Sequence, residues 1–132
     1  MSDRGTTIAV VDDDVRVLES LEDLLESAGH SVVLFTSGVD LLSTDVLADL
    51  DCLITDIGIP VVDGFELRSR AHSLRPNLPV IFITGRDEVT DEKKAARGSH
   101  QGFFRKPFDA SALLATVARI LSANDRDSSH AG

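Results

Sequence analysis

The sequence predicts one α/β domain in which a parallel sheet is covered by helices on both faces. Short apolar runs alternate with amphipathic stretches, which gives five strands and five helices. The strand segments are apolar throughout, as expected for parallel strands buried on both sides. Such alternation favours right-handed βαβ units. A chain of 132 residues fits one domain and can bury a core without disulfides or metal staples.

The first half of the chain contains three of the predicted strands. A β-branched run at residues 7–11 is the first, and residues 31–35 and 52–55 are the next two, the third ending at Asp56. Apolar side chains at helical spacing predict a helix over residues 15–28, with Gly29 at the position of a C-terminal cap. Ser37 and Asp40 have the spacing of a capping box and predict a helix that extends to about Leu47.

The second half continues the alternation. After a turn at 60–64, the predicted elements are a helix at 65–74, a strand at 80–84, a highly charged helix at 87–97, a strand at 102–105 and a last helix from Asp109 to about Leu121. The chain thus divides into a polar N-terminal arm (1–6), the domain (7–121) and a flexible C-terminal tail (122–132).

Composition excludes several classes of protein. Lys and Arg total 13 against 22 Asp and Glu, a formal charge of −9, so we expect no direct binding of nucleic acid or of an anionic membrane. No apolar run approaches the length of a membrane helix, and residues 1–6 lack the apolar region of a signal peptide. A single cysteine, Cys52, excludes an internal disulfide and a cysteine-based zinc site. We therefore expect a cytoplasmic protein.

Polar residues follow four of the predicted strands. Asp12 and Asp13 follow the first, Asp56 ends the third, Thr84 ends the fourth, and Lys106 follows the fifth. The carboxyl ends of parallel strands meet at one edge of the sheet, where α/β proteins bind ligands. Carboxylates suit Mg²⁺ and can accept a phosphoryl group, and a lysine supplies a point charge for phosphate. The pattern therefore predicts a site for a divalent cation and a phosphoryl group.

Four segments resemble the receiver domain of two-component response regulators. They are VVDDD (10–14), ITDIGIPVVDG (54–64), IFITG (81–85) and FFRKPF (103–108). Their order and spacing match the family over about residues 6–121, and the ITG and KPF forms resemble the receivers of FixJ-type regulators. The resemblance implies a flavodoxin-like (βα)5 three-layer sandwich with strand order 2-1-3-4-5.

The resemblance also implies roles for the acidic residues. Asp56 would be the phosphoacceptor. Asp12 and Asp13 would hold Mg²⁺, directly or through water, together with Asp56 and the backbone carbonyl of Gly58. Gly58 and Arg86 occupy positions that tune dephosphorylation in the family, so the lifetime of the phosphoryl group stays open.

Three further residues receive roles from the resemblance. Thr84 would hydrogen-bond the acquired phosphoryl group, and Lys106 would pair with Asp56 and then with the phosphoryl oxygens. Phe103 occupies the aromatic switch position and would follow Thr84 inward. The Lys106–Pro107 bond resembles the family's cis peptide.

The implied function is a Mg²⁺-dependent switch in two-component signal transduction. A histidine kinase or histidine phosphotransfer protein would donate the phosphoryl group. A downstream protein or a missing output domain would then respond to the phosphorylated chain. The responsive surface would be the fourth helix, the fifth strand and the fifth helix. The chain would catalyse its own phosphorylation and dephosphorylation without being a turnover enzyme.

Two alternatives remain open from the sequence. Asp12 and Asp14 form a DxD after the first strand, as in haloacid-dehalogenase-like phosphohydrolases, although Arg16 departs from that pattern. Asp14 is otherwise interpreted as a residue of the helix N-terminus. The second alternative is a module that docks partners without being phosphorylated.

Overall fold

A computed structural model describes residues 5–85 and 102–131 of the chain, with side chains as far as Ala123. The predicted helix at 87–97 lies outside the described residues. The sheet is parallel and five-stranded, in the order β2-β1-β3-β4-β5. This is the predicted flavodoxin-like order. Its strands are β1 (Thr7–Val11), β2 (Ser31–Phe35), β3 (Cys52–Asp56), β4 (Val80–Thr84) and β5 (Gly102–Arg105).

Helices connect the strands on both faces of the sheet. The helical segments are α1 (Val15–Ser27), α2 (Gly38–Leu42), a 3₁₀ turn (Val46–Asp49), α3 (Gly64–Leu74) and the C-terminal helix (Ala110–Ala131). Within the described residues, no helix is long and apolar enough to cross a membrane.

Side-chain caps fix where these helices begin. Asp14 accepts a hydrogen bond from the Arg16 backbone N–H at 3.0 Å, which confirms its interpretation as a residue of the helix N-terminus. Asp109 accepts one from Ala112 N–H at 3.2 Å at the start of the C-terminal helix, as predicted. Each cap satisfies a backbone donor that the helix itself cannot pair.

The predicted end of the second helix is wrong. The sequence predicted a helix to about Leu47, but α2 ends at Leu42 and a separate 3₁₀ turn follows. The Ser43 hydroxyl donates to the Val39 carbonyl at 2.8 Å, and the Thr44 hydroxyl donates to the Leu41 carbonyl at 2.8 Å. These side chains offer backbone groups local partners that compete with a continuing helix.

The C-terminal helix is longer than predicted. Its backbone continues past Leu121 as far as Ala131, in the segment expected to be a frayed tail. The segment contains neither Gly nor Pro before Gly132, so nothing in it forces the helix to stop.

Two hydrophobic cores lie on opposite faces of the sheet. One includes Val11, Leu53 and Phe82 and packs under α2 and α3. The other is formed by buried residues of the strands, α1 and the C-terminal helix. Phe103 packs against the first core and Phe104 against the second, because successive side chains of a strand point to opposite faces of the sheet.

Candidate functional site

Backbone hydrogen bonds beyond the strands fix the positions of the polar residues at the carboxyl edge of the sheet. Asp12 N–H donates to the Phe35 carbonyl at 3.1 Å, just past the end of β1. Lys106 N–H donates to the Thr84 carbonyl at 2.7 Å, just past the end of β5. Hydrogen bonds to the neighbouring strands, β2 for Asp12 and β4 for Lys106, therefore fix the backbone positions of these two residues.

Three carboxylates meet at this edge. Asp12, Asp13 and Asp56 each bring a carboxylate oxygen to within 4.8 Å of the others. Asp12 is fully buried, Asp56 is nearly so, and Asp13 is exposed to solvent. The cluster therefore has a buried floor and one side open to water.

Lys106 is the cation of this cluster. Its Nζ lies 2.7 Å from Asp12 Oδ2 and 3.2 Å from Asp56 Oδ2. Partial burial alone would lower the pKa of the Lys106 ammonium, but hydrogen bonds and charges of the two carboxylates outweigh it and raise this pKa. The lysine is therefore held in its charged form beside Asp56.

Asp12 uses both of its carboxylate oxygens. Oδ1 accepts a hydrogen bond from Asp14 N–H at 2.8 Å, while Oδ2 faces Lys106. Burial raises the pKa of Asp12 above its usual value, against the opposing effect of these two donors and of the positive charge. Sequence reasoning predicted the pairing of Lys106 with Asp56 and missed its shorter contact with Asp12.

The loop after β3 orients the Asp56 side chain. Gly58 N–H donates to Asp56 Oδ1 at 3.2 Å, so each oxygen of Asp56 has a donor from the chain. Gly64 N–H donates to the Ile57 carbonyl at 3.0 Å and closes the loop onto the start of α3. Gly64 follows Asp63, which caps α3 by accepting a hydrogen bond from Glu66 N–H at 2.9 Å. Sequence reasoning missed the structural role of Gly64, although glycine, which has no Cβ, is the residue type that allows close backbone contact.

Thr84 and Phe103 lie on the same face of the sheet. Phe103 is the register partner of Phe82 on β4, and Thr84 is two residues beyond Phe82. Thr84 is fully buried, while Phe103 is half-buried with the Arg105 guanidinium 5.7 Å from its ring centroid. A displacement of Thr84 toward the cluster would change the space beside Phe103.

The residues present fit a divalent cation. Carboxylate oxygens are the preferred ligands of Mg²⁺, which takes few ligands from the protein and keeps several waters. Asp13 and the exposed side of the cluster provide the access to solvent that such a hydrated ion needs. The Lys106–Pro107 bond is cis, as the resemblance implied.

Comparison with known proteins identifies the family. A model described as "Response regulator receiver domain" matches residues 8–118. The response regulator protein TodT of Pseudomonas putida strain F1 is 34% identical over 131 residues, which are 99% of this chain and 58% of TodT. The transcriptional regulatory protein FixJ of Azorhizobium caulinodans is 36% identical over 114 residues, 86% of this chain and 54% of FixJ.

A solved structure agrees with these relatives. The receiver domain protein of Methanospirillum hungatei JF-1 superposes with a TM-score of 0.83 at 25% identity, covering 92% of this chain and 98% of that one. The chain spans only a little over half the length of the two curated relatives. The polar edge, the strand order and these matches together show that the chain belongs to the receiver domain family of two-component response regulators.

Proposed function

We propose that Asp56 accepts a phosphoryl group and that this controls the binding of a protein partner. The observation that carries the proposal is the meeting of Asp12, Asp13 and Asp56 within 4.8 Å, with Lys106 Nζ 3.2 Å from Asp56. Phosphoryl transfer depends on alignment and charge neutralisation, and these residues supply both.

The reaction exchanges one bond to phosphorus for another. An Asp56 carboxylate oxygen attacks the phosphorus of a phosphohistidine, so that an O–P bond forms and the N–P bond breaks. The imidazole nitrogen of the donor keeps the electron pair, and Asp56 becomes an acyl phosphate. Gly58 N–H and Lys106 hold the attacking carboxylate in place, and Lys106 then faces the new phosphoryl oxygens.

Asp12, Asp13 and Asp56, with the Gly58 carbonyl, would hold Mg²⁺. When bound, the ion supplies positive charge that offsets the phosphoryl oxygens beside the acidic cluster. The chain contributes three carboxylates that lie within 4.8 Å of one another without a bound ion.

Thr84 and Phe103 would report phosphorylation to the surface. The Thr84 hydroxyl would donate to a phosphoryl oxygen, and a hydrogen bond to a charged group contributes about 1.5–3 kcal/mol. Such an energy shifts a conformational equilibrium by roughly ten- to a hundredfold. Phe103 would turn inward as Thr84 moves, which changes the surface of the predicted fourth helix, β5 and the C-terminal helix.

The donor of the phosphoryl group would be a histidine kinase or a histidine phosphotransfer protein. A downstream protein or an output domain would respond to the phosphorylated domain. We place the exchange in the cytoplasm, because the relatives of this chain include a transcriptional regulatory protein, a kind of protein that acts on DNA inside the cell. The domain would promote its own phosphorylation and dephosphorylation without turning over a separate substrate.

The two alternatives are less well supported. A phosphohydrolase of the DxD type needs Asp12 as nucleophile and Asp14 as its second acid, but Asp12 is more deeply buried than Asp56, and the Asp14 carboxylate caps α1. A purely docking module would not need the complete set of acceptor, acids and lysine that this edge contains.

Acetyl phosphate with Mg²⁺, followed by intact mass measurement, tests the proposal. We expect one phosphoryl adduct that disappears without Mg²⁺ and in Asp56→Asn. The matched control is Asp45→Asn, because Asp45 is exposed and makes no capping hydrogen bond, so it keeps the adduct. If no adduct forms and beryllofluoride also leaves the melting temperature unchanged, Asp56 is not an acceptor.

A further inference from the structure

A cavity with charged walls lies at the amino edge of the sheet, where the strands begin, opposite to the edge that carries Asp56. Thr7 begins β1, Asp51 directly precedes β3, and the Asp51 N–H donates to the Thr7 carbonyl at 2.8 Å. The volume of the cavity is about 520 Å³, which is within the range of small-molecule sites. Its lining residues are Gly5, Thr7, Ala48, Asp49, Asp51 and Arg75. The proposed function uses none of them.

Arg75 supplies the positive charge of this cavity. It is half-buried just past the last residue of α3, and its Nη1–H donates to the Leu47 carbonyl at 2.6 Å. In the part of the chain that the structure describes, no carboxylate forms an ion pair with Arg75. A guanidinium has several N–H donors in one plane. The bond to Leu47 therefore orients the guanidinium and leaves donors for the carboxylate of a ligand.

Two carboxylates line the same cavity. Asp51 Oδ2 accepts a hydrogen bond from Thr7 N–H at 2.8 Å, which orients the side chain, and Oδ1 has no donor among the described residues. The Asp49 side chain is exposed and likewise has no hydrogen-bond partner within those residues. A ligand with a single charge would leave either Arg75 or the two acids without a partner. The charges of the cavity therefore fit a zwitterion.

A second cavity adjoins the first and is lined mainly by leucines. Its volume is about 440 Å³; it shares Ala48 and Arg75 with the charged cavity and is also lined by Leu42, Leu47 and Leu74. Leu74 is 69% exposed, so an apolar group that covers it removes apolar surface from water. The guanidinium of Arg75 is thus next to a place for an ammonium and next to a place for an apolar group.

We propose that the amino edge of the sheet binds a free α-amino acid with an aliphatic side chain. The carboxylate of the amino acid pairs with Arg75, and its ammonium pairs with Asp49 and Asp51. Its side chain lies against Leu42 and Leu74. Paired hydrogen bonds from a guanidinium to a carboxylate are strong and directional, so the contact with Arg75 fixes the orientation of the ligand. The site is independent of phosphorylation, because it lies at the other edge of the sheet.

NMR titration of ¹⁵N-labelled protein with L-leucine tests the proposal. We expect a dissociation constant of roughly 1 mM or below, in keeping with so small a ligand. The resonances that shift should be the backbone amides of Ala48 and Asp51 and the Nε–H of Arg75. If no resonance shifts at about 20 mM leucine, or if the shifts are confined to the surroundings of Asp56 and Lys106, the proposal is overturned.

Three related ligands test each contact on the unsubstituted protein. Leucinamide lacks the carboxylate, N-acetylleucine lacks the ammonium, and glycine lacks the side chain. Each should bind at least about tenfold more weakly than leucine, because each leaves one part of the site without its partner. Any of the three that binds as tightly as leucine shows that the assigned class of ligand is wrong.

Substitutions locate the site. Arg75→Gln should weaken leucine binding by at least about tenfold, since a hydrogen-bonded charge pair is lost. Asp49→Asn should weaken it by roughly threefold or more, and its fold is secure because this exposed side chain has no hydrogen-bond partner among the described residues. Unchanged binding in Asp49→Asn and Arg75→Gln contradicts the proposal.

Matched controls carry the same changes of charge away from the cavity. Arg70→Gln changes an exposed arginine of α3 whose Nη2 lies 2.7 Å from Glu66 Oε2, and Asp23→Asn changes an exposed acid of α1. Both should bind leucine within about twofold of the unsubstituted protein, because solvent screens these charges. A loss of binding in the controls equal to that in Arg75→Gln and Asp49→Asn overturns the proposal, since net charge alone then explains it.

Discussion

Gly64 lies directly against the backbone of Asp56. A methyl group added at Gly64 would be 2.8 Å from the carbonyl oxygen of Asp56 and 2.8 Å from Cα of Ile57. Because both contacts are to backbone atoms, no side-chain rotation can relieve them. The start of α3 thus supports the strand end that carries the proposed phosphoacceptor.

Gly64→Ala is therefore expected to lower the free energy of unfolding by about 1–3 kcal/mol, the usual range for an overpacked site. Urea unfolding followed by circular dichroism measures it. Gly5→Ala is the control, since a methyl group at Gly5 meets nothing within 4 Å and should change stability by less than about 0.5 kcal/mol. Equal stability of the two variants would show that the loop after β3 adjusts freely.

Val61 has a backbone conformation that a β-branched residue rarely adopts. Its φ is 67°, and the residue is 88% exposed, so little packing compensates the strain. Val61→Asn is expected to raise the free energy of unfolding by about 1 kcal/mol, because asparagine tolerates the left-handed region. In the control Val39→Asn, at an exposed position in α2, no gain is expected. A loss of stability in Val61→Asn would contradict the strain.

The buried thiol of Cys52 predicts a pH dependence. Burial raises the pKa of Cys52 from 9.0 to about 12. A group whose pKa is raised in the folded state contributes stability that is fully present below 9.0 and is lost as the pH rises through about 12. The stability difference between the unsubstituted protein and Cys52→Ala should shrink above pH 9.0 by up to about 1.4 kcal/mol per pH unit.

Urea unfolding of both proteins between pH 8 and pH 11 checks this prediction, and Cys52→Ala serves as the reference that cancels every other titrating group. A difference that stays constant over this range would mean that the thiol ionises as easily in the folded state as in the unfolded one.

Local sequence signals predicted the parts of the fold that depend on the spacing of apolar residues and on residues that cap helix ends. Apolar runs placed the five strands, and Gly29 was expected after α1, where its φ is 96°. The Ser43 and Thr44 hydroxyls hydrogen-bond backbone carbonyls of α2, and this competition with a continuing helix cannot be read from residue spacing. The end of α2 at Leu42 was therefore missed. The length of the C-terminal helix was missed because polar residues give no stop signal by themselves.

For the site, strand ends and spacing predicted which residues would meet, because a parallel sheet brings its carboxyl ends together. Spacing carries no information on which of two nearby acids a lysine side chain approaches more closely. The contact of Lys106 with Asp12 depends on side-chain geometry, and the close approach of Gly64 depends on how α3 packs under β3.

Asp13 provides the most direct test of cation binding through stability. The three clustered carboxylates repel one another when no cation is present, and a ligand at a hundred times its dissociation constant adds about 2.7 kcal/mol to the free energy of unfolding. Mg²⁺ should therefore raise the melting temperature of the unsubstituted protein. In Asp13→Asn this rise should be largely lost, because one of the three carboxylates proposed to hold the ion is gone.

The same substitution has the opposite effect without Mg²⁺. Asp13 is exposed, so replacing it removes repulsion and leaves the core intact, and metal-free Asp13→Asn should melt above the metal-free unsubstituted protein. Asp45→Asn, distant in sequence from the cluster and also exposed, should keep the full Mg²⁺ effect. If Mg²⁺ raised the melting temperatures of all three proteins equally, the ion would be acting away from the cluster. Only an ion that binds the Asp13 carboxylate can make the unsubstituted protein melt above Asp13→Asn when Mg²⁺ is present and below it when Mg²⁺ is absent.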